Sequence, residues 1–324
     1  MRIAIIGSGL SGLAAAERLV SGGHEVELFD KARGPGGRMS TRRVDIEGKP
    51  VGFDHGAQYF TARNPAFRKI VAGWEAENTV QPWPAAGTDA WVGSPAMNTP
   101  VKKLASNHQI NWSTRITGLA RTENRWQLQC PEDSLQTWFD AVVIAIPAEQ
   151  AADLLAPWHA EFAGLARSTP SAPCWTVMIA FDRSLETEQV TFRDDPVLGW
   201  AARNSDKPGR AETESWVLQA SPAWSADHLE DETADVTARL VKRFEELSGT
   251  SLPRPVFQTA HRWRFARSGG TEFTGLYDPR LRLGVCGDWL IGPRVECAWL
   301  SGNALGEMVI AEDFRISAGS DAFR

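Results

Sequence analysis

The chain has 324 residues, 43% of them hydrophobic, which is enough for about two globular domains. Its formal net charge of −6 and sequence pI near 5.6 argue against a nucleic-acid partner, which selects a basic face. The four scattered cysteines and six dispersed histidines predict neither a disulfide framework nor a metal site, and no apolar run reaches the ~20 residues of a membrane span. We therefore expect a cytoplasmic protein without stable membrane insertion.

The first twenty residues have the spacing of a dinucleotide-binding turn. An apolar strand at 3–6 runs into Gly7, Gly9 and Gly12 in the G-x-G-x-x-G pattern, and a helix is predicted over 10–20. These glycines allow a tight turn, a close approach of the backbone to a pyrophosphate, and close packing of helix on strand. The free N–H groups at the start of the helix attract phosphate.

The loop after the second strand distinguishes flavin from nicotinamide. That strand, at 26–29, ends at Asp30, where an acid can accept hydrogen bonds from a ribose. The sequence DKARGPGGRMSTRR follows, whereas an ordinary nicotinamide-binding unit continues into a helix at this point. Its glycine doublet, which ends at Gly37, suits a loop close beneath a long ligand, and Arg38 can pair with a pyrophosphate. We therefore predict FAD as the cofactor.

The middle of the chain alternates between two kinds of sheet. A hairpin is predicted at 110–130 with its turn at Glu123–Asn124, and a buried strand, a turn at Pro147 and a helix at 139–155 belong with the parallel sheet. The region after it is expected to form a second, mostly antiparallel, substrate-facing domain. Its predicted parts are strands at 175–181, 215–221 and 255–266, a turn-rich loop at 200–210, and an amphipathic helix at 227–247 that includes Leu229.

The C-terminal block returns to the nucleotide. A strand ends in Gly287–Asp288, and a helix is predicted from about Val295. An acid at this strand end can bond a ribityl chain. The helix N-terminus directs a partial positive charge that stabilises a reduced flavin.

These motifs resemble the renalase-like members of the FAD-dependent amine-oxidase superfamily over nearly the whole chain. A glycine common in that family is Cys297 here. The resemblance implies an α/β fold, with a Rossmann-like FAD-binding domain of the glutathione-reductase type at 1–65, 100–165 and 270–313. An amine oxidase-like substrate domain at 66–99 and 166–269 and a tail at 314–324 complete the expected division. The motifs that carry the resemblance are DKARGPGGRMSTRR, FDHGAQYFTARNPAF, WVGSPAM, AVVIAIPAEQAADLL, AHRW and CGDWLIGPRVECAWLSG.

The resemblance also implies non-covalent FAD and assigns its contacts. Ser11 meets the pyrophosphate and Asp30 the adenosine ribose, Ile116 offers backbone to the adenine, and Asp288 and Val295 lie along the ribityl chain and the pyrimidine edge. The full set of implied cofactor residues is Gly7, Gly9, Ser11, Gly12, Asp30, Lys31, Gly37, Arg38, Met39, Gly56, Ala57, Gln58, Tyr59, Ile116, Asp288, Val295 and Ala298.

The resemblance further implies a reaction. Renalase-like enzymes oxidise the 2- and 6-dihydro isomers of NAD(P)H by hydride transfer to flavin N5, and dioxygen or a quinone discharges the reduced flavin. A dihydropyridine already carries a transferable hydride, so catalysis rests on stacking, orientation and exclusion of water. The expected site residues are Tyr59, Trp200, His261 and Trp289, with Arg203 and Asn204 as candidates for a dinucleotide phosphate. Each also has a plainer interpretation as a core or loop residue, and His55 is expected to be structural.

Two other functions stay open. A flavin amine oxidase or a desaturase shares the same fold, but amine oxidases often use a lysine that holds a water at N5, and the chain has no lysine after Lys242. An FAD-binding sensor without catalysis is the alternative outside the enzymes.

Overall fold

The structure is a computed structural model that describes residues 1–131 and 134–321, with the side chains of 134–135 and 316–321 left aside. Its helices are α1 (Leu10–Ser21), α2 (Pro65–Ala76), α3 (Thr99–Ala105), α4 (Ala148–Leu155), α5 (Ala160–Arg167), α6 (Pro222–Asp227), α7 (Thr233–Ser248) and α8 (Val295–Asp321). Its strands are β1 (Arg2–Ile6), β2 (Glu25–Phe29), β3 (Thr41–Ile46), β4 (Lys49–Asp54), β5 (Phe60–Thr61), β6 (Val80–Pro82), β7 (Ala90–Gly93), β8 (Gln109–Asn111), β9 (Gly118–Thr122), β10 (Arg125–Gln129), β11 (Ser134–Phe139), β12 (Ala141–Ile144), β13 (Ala172–Phe181), β14 (Thr191–Arg193), β15 (Trp200–Arg203), β16 (Ser215–Gln219), β17 (Pro255–Arg267), β18 (Leu276–Asp278) and β19 (Leu283–Val285).

The chain divides into two compact units, each made of separate segments. Unit 1 comprises Met1–Gly37, Val101–Ser171 and Ser268–Arg324, and unit 2 comprises Arg38–Pro100 and Ala172–Arg267. The expected domain ranges differ from this division, because residues 38–65 group with unit 2. The reason is the core of unit 2, in which β3 and β4 bury Ile46, Val51 and Phe53 against Met178, Ala180 and Val217.

The main sheet of unit 1 has the order β18-β19-β12-β1-β2-β8. All neighbouring strands are parallel except β18, which is antiparallel to β19. The central strand β1 is buried on both faces, as the apolar run at 3–6 predicts. Because the strands are parallel, the residues that follow β1, β2 and β19 lie at the same edge of the sheet. The turn at Gly7, Asp30 and Asp288 are therefore brought to one side.

Two further predictions for unit 1 are confirmed. The strands β9 and β10 form a hairpin whose turn residues, Glu123 and Asn124, have φ values of 51° and 64°. The helix α8 begins at Val295 as expected. It continues to Asp321, past the start of the expected tail at residue 314, and the last three residues of that tail lie outside the described residues.

The main sheet of unit 2 is antiparallel, in the order β14-β15-β16-β13-β17. The fold class predicted from the sequence is thereby confirmed: a Rossmann-like sheet is combined with a mostly antiparallel second sheet. One element was wrongly predicted as a loop. Residues Trp200–Arg203 form β15, whose hydrogen bonds to β14 and β16 fix it as a strand.

The predicted helix at 227–247 corresponds to one helix, α7, and to the connection that precedes it. α6 ends at Asp227 and α7 begins at Thr233, so Leu229 lies in the connection between them. Side chains from the sheet bind carbonyl groups of this connection. Trp175 Nε1 donates to His228 O at 2.9 Å, and an Arg262 guanidinium nitrogen donates to Leu229 O at 2.7 Å. Within the described ranges, no helix is long and apolar enough to cross a bilayer.

Candidate functional site

The turn between β1 and α1 has the geometry that its glycines predict. Gly7 has φ +103°, and a Cβ atom on it would lie 2.4 Å from Ala145 O. A Cβ on Gly12 would lie 2.0 Å from Gly7 O, whereas a Cβ on Gly9 would meet nothing within 4 Å. The first and third glycines are therefore required by the packing of unit 1 itself. The second faces open space, where a phosphate has room to approach the backbone.

The start of α1 is open to an anion. Gly9 is the N-cap residue, so no side chain caps the free N–H groups of the first turn. The Ser11 hydroxyl is buried and has no hydrogen-bond partner among the described residues. Unpaired donors at a helix N-terminus fit the oxygen atoms of a pyrophosphate, which is the group predicted for Ser11.

Asp30 stands at the end of β2, as predicted, and orders the same turn. Its Oδ2 accepts hydrogen bonds from Ser8 N and Ser8 Oγ, both at 2.7 Å, and its Oδ1 accepts from Ala32 N at 2.8 Å. A carboxylate has about four acceptor positions, so capacity for a ribose hydroxyl remains. The neighbouring Lys31 donates to Gln150 Oε1 at 2.9 Å. Both side chains belong to unit 1.

The C-terminal residues of the predicted cofactor set also lie in unit 1. Asp288 is buried and accepts a hydrogen bond from Ser268 Oγ at 3.0 Å. Val295 begins α8, and Ala298 N donates to Arg294 O at 3.2 Å within its first turn. The Trp289 side chain is 1% exposed and packs in the hydrophobic core of unit 1 with Ile116. Trp289 thus has the plainer role of a core residue in this unit.

Gly37 ends the first segment of unit 1, and the remaining predicted cofactor residues, at 38–39 and 56–59, belong to unit 2 and pack tightly against one another. Ala57 N donates to Arg38 O at 2.8 Å, and a Cβ on Gly56 would lie 2.0 Å from the same oxygen. Gly56 O accepts from Gln58 Nε2 at 3.0 Å and from Gln219 Nε2 at 2.7 Å. Met39 is buried beside Arg38. The backbone at 56–58 is therefore held from several directions.

Two groups of flat side chains occur in unit 2. The rings of Tyr59 and Trp200, which the sequence predicts in one site, lie 5.3 Å apart. His55, His261 and Trp263 form a second group, called the imidazole cluster below, with centroid distances of 4.6 to 5.1 Å. Trp263 Nε1 donates to His55 O at 2.8 Å, so the indole orients the His55 backbone. The predicted site residue His261 therefore packs against His55, which is expected to be structural, and against Trp263.

The histidines of the imidazole cluster are neutral at physiological pH. Burial is the main cause that lowers the pKa of His55 to about 4, and the neighbouring His261 and Arg42 lower it further. Burial and then Arg42 also lower the pKa of His261 below its usual 6.5. Neutral imidazoles next to an arginine offer flat faces and hydrogen bonds but no negative charge to a ligand.

Arg203 and Asn204 have partners inside unit 2. Arg203 forms an ion pair with Glu214 at 3.2 Å and donates to the carbonyl oxygens of Leu185 and Thr187. Asn204 is fully buried between Gly52 O and Asp54 N. Both side chains support the fold in this structure.

Unit 2 also contains a buried group of charges that was not predicted from the sequence, called the Asp54 ion group below: Asp54, Lys207 and Arg210. Asp54 Oδ2 lies 3.3 Å from Lys207 Nζ and 2.6 Å from an Arg210 guanidinium nitrogen. Burial acts to raise the pKa of Asp54, but the two cations outweigh it and hold the pKa at about 2. Lys207 and Arg210 lie in a turn-rich segment, and such a segment predicts an exposed loop. The FDHGAQYF motif, which includes Asp54, is the one sequence signal near this group.

Two sequence families match the chain. The NAD(P)-binding Rossmann-like domain matches residues 5–74, and the Flavin containing amine oxidoreductase family matches residues 85–304, which is more than half of the chain. A 4,4'-diapophytoene desaturase (4,4'-diaponeurosporene-forming) of Staphylococcus aureus strain Newman is 53% identical over 45 residues. That match covers 14% of this chain and 9% of the desaturase, so the chain matches only a small part of that relative's length.

Solved structures share the fold at low sequence identity. Wild-type putrescine oxidase bound to putrescine has a TM-score of 0.74 at 12% identity, and the match covers 96% of this chain and 99% of that chain. Cyclohexylamine oxidase from Brevibacterium oxydans IH-35A has a TM-score of 0.65 at 12% identity, with the same coverage of both chains. At these identities the likeness is one of fold.

Proposed function

Because the chain belongs to the family of flavin-containing amine oxidoreductases, we propose that it oxidises a small molecule with FAD, and that this molecule is a 2- or 6-dihydro isomer of NAD(P)H. Hydride acceptance is the chemistry that FAD supplies when bound. Dioxygen or a quinone is the proposed final acceptor. The observation that carries the choice of substrate is a set of neutral rings flanked by arginines in unit 2.

FAD is bound non-covalently. The open turn at Gly9, the unpaired Ser11 hydroxyl and the carboxylate of Asp30 fit the pyrophosphate and ribose of a dinucleotide. The cysteines near the C-terminus are poor nucleophiles for attachment, because burial raises the pKa of Cys286 to about 12 and also raises that of Cys297.

We expect the purified protein to be yellow and to release all of its flavin on acid precipitation. The reason is that the buried thiols are kept protonated and no bond forms to the cofactor. The measurement is the flavin absorbance of the supernatant and of the washed pellet. Flavin that stays with the pellet would contradict non-covalent binding.

The rings of unit 2 suit a nicotinamide. A dihydropyridine needs no base to remove a proton, so flat neutral side chains that orient the ring are sufficient. Tyr59 and Trp200 supply one ring pair, and the imidazole cluster supplies a second. Neither His55 nor His261 carries a charge at neutral pH, because both pKa values are lowered.

The charges near these rings favour an anionic substrate. The Arg193 guanidinium carbon lies 4.5 Å from the centroid of Trp200, and the charge of Arg42 acts on both histidines of the imidazole cluster. Arginine pairs readily with phosphate, which a dinucleotide brings, whereas a protonated alkylamine would be repelled. The electrostatics therefore support a dinucleotide over a cationic amine.

A second candidate is the oxidation of an amine. The family match and the two solved amine oxidases favour this candidate over the first, although at 12% identity those structures support only the fold. A desaturase reaction is the third, on the strength of the short match to a desaturase. A redox-inactive FAD-binding sensor is the alternative outside catalysis.

The decisive experiment is anaerobic mixing of the holoprotein with 2-dihydro-NAD(P), 6-dihydro-NAD(P), normal NADH, putrescine and cyclohexylamine. We expect fast loss of flavin absorbance with the two isomers and slow or no loss with the others. The physical reason is geometric, because transfer requires the donor carbon within ~3–3.5 Å of the acceptor. A ring docked with carbon 2 or carbon 6 at that distance leaves carbon 4, the donor of normal NADH, out of line.

Two variants connect the reaction to the rings. His261→Ala and Tyr59→Phe should slow flavin reduction by the isomers while the FAD stays bound. If normal NADH or either amine reduces the flavin at least as fast as both isomers, the dihydro-NAD(P) proposal is wrong, and the second candidate replaces it if the amine is the faster. Flavin that none of these compounds reduces would favour the sensor.

A further inference from the structure

The Asp54 ion group contains more positive than negative charge in a buried place. One carboxylate, Asp54, pairs with two cations, Lys207 and Arg210, and the side chains of all three are 0 to 3% exposed. The indole of Trp83 adds a weak attraction to Lys207, with Nζ 5.3 Å from the ring centroid. At neutral pH the three ionised side chains together carry one excess positive charge.

A contribution to fold stability does not by itself explain why a lysine is buried at position 207. Removing a charge from water costs several kcal/mol per ion, and the attraction to a partner repays this only with favourable geometry. Arg210 already balances Asp54, with two guanidinium nitrogens at 2.6 and 3.1 Å from Oδ2, whereas Lys207 is at 3.3 Å. Burial lowers the pKa of Lys207 to about 8, which is the direction expected for a cation in an unfavourable place.

A second contact of Lys207 leads to the predicted cofactor segment. Lys207 Nζ donates to Gln58 Oε1 at 3.1 Å. The other end of the same amide, Gln58 Nε2, donates to the carbonyl oxygens of Asp54 and Gly56 at 2.5 and 3.0 Å. Lys207 and the two carbonyl groups select the same orientation of the amide. The ammonium group can only donate and so selects the oxygen end, whereas the carbonyl oxygens can only accept and so select the nitrogen end.

We propose that Lys207 is a positioning residue that acts through Gln58 to hold the backbone of residues 56–59 in the conformation that binds FAD. The inference rests on the proposed cofactor role of these residues. It does not depend on which substrate the enzyme oxidises. In this proposal Arg210 neutralises the carboxylate of Asp54, and Lys207 orients the side-chain amide of Gln58.

The test compares the holoprotein with Lys207→Met, which keeps the apolar stem and leaves Asp54 balanced by Arg210. If Lys207→Met does not fold, Lys207→Gln is used instead, because its side chain is shorter and polar. We expect the Kd for FAD to rise about tenfold, the size typical of losing a partner that orients a binding group, and the visible circular dichroism of bound FAD to change. The matched control is Arg254→Gln, which removes a cation from an exposed ion pair with Asp182. It should change neither the Kd for FAD nor the visible circular dichroism.

A double-mutant cycle with Gln58→Leu separates positioning from support of the fold. If Lys207 acts through Gln58, the lysine substitution has little further effect on the Kd for FAD in the Gln58→Leu background. Equal effects with and without Gln58 would overturn the proposal, and so would a lower Tm with unchanged Kd and unchanged visible circular dichroism. Both readouts use FAD alone, so they stay informative if the dihydro-NAD(P) proposal fails.

Discussion

Gly12→Ala is expected to leave no measurable FAD on the purified protein and to lower its stability strongly. The new Cβ would lie 2.0 Å from Gly7 O and 3.2 Å from the Ala145 Cβ. The nearest atom belongs to the backbone of the turn, so neither a rotamer change nor a small shift relieves the clash. Overpacking of this kind costs about 1–3 kcal/mol or more, and here it falls on the turn that forms the phosphate site.

Gly9→Ala separates the ligand from the fold at the same turn. A Cβ on Gly9 meets nothing within 4 Å, so we expect wild-type circular dichroism and a Tm of the apoprotein close to that of the wild type. FAD binding should still weaken by about tenfold or more, because the added methyl group occupies the approach of the pyrophosphate. Gly164→Ala, at an exposed glycine of α5 whose Cβ would also meet nothing within 4 Å, is the control for both variants. Unchanged FAD affinity in Gly9→Ala would show that the cofactor does not pass this turn.

Asp54→Asn is expected to lower the free energy of unfolding by about 3–5 kcal/mol. The substitution keeps the size of the side chain but leaves Lys207 and Arg210 as two buried cations with no anion between them. Urea unfolding at neutral pH measures the effect. The control is Asp182→Asn, whose ion pair with Arg254 is exposed, so a change of only about 0–1 kcal/mol is expected. Equal losses for the two variants would contradict the role of the Asp54 ion group.

The Asp54 ion group also makes the free energy of unfolding depend on pH in the acid range. The folded pKa of Asp54 is about 2, below its usual 3.8, so the folded state binds fewer protons than the unfolded state in this range. Its contribution to stability is therefore present above about pH 4 and is lost as the pH falls towards 2. The difference between wild type and Asp54→Asn in urea unfolding should narrow below pH 4. A constant difference down to pH 2.5 would argue against an ionised Asp54.

The elements that could be predicted were those whose pattern is local. The strand at 3–6, the glycine turn and α1 follow one another in the sequence, and each is determined by residues a few positions away. The strand β15 was wrongly predicted as a loop, because its neighbours in the sheet lie at 191–193 and 215–219 and not in its own sequence. The connection at 228–232 was missed for the same reason, since Trp175 and Arg262 from the sheet bind its carbonyls.

In the candidate site, too, residues that are brought together from distant parts of the sequence could not be predicted. Gly7, Gly9 and Asp30 lie at the turn after β1 and just after β2, where their spacing in the sequence predicts them, because the strand, the turn, the helix and the next strand follow one another in the chain. Lys207 and Asp54 are 153 positions apart, and nothing in a turn-rich stretch signals that a lysine in it is fully buried. Of the aromatic residues predicted in one site, Tyr59 and Trp200 lie next to each other in unit 2, whereas Trp289 packs in the core of unit 1.

The division of unit 1 into three segments has a consequence for how the protein is made. Its phosphate turn is synthesised before α8, yet a Cβ on Gly302 in α8 would lie 2.0 Å from Ser11 O, so the two helices pack backbone to backbone. α8 also follows β18 and β19, which complete the edge of the sheet. The phosphate turn therefore lacks the helix that packs against it until α8 has been synthesised. A nascent chain interrupted before Val295 would carry the whole glycine motif and still lack that helix.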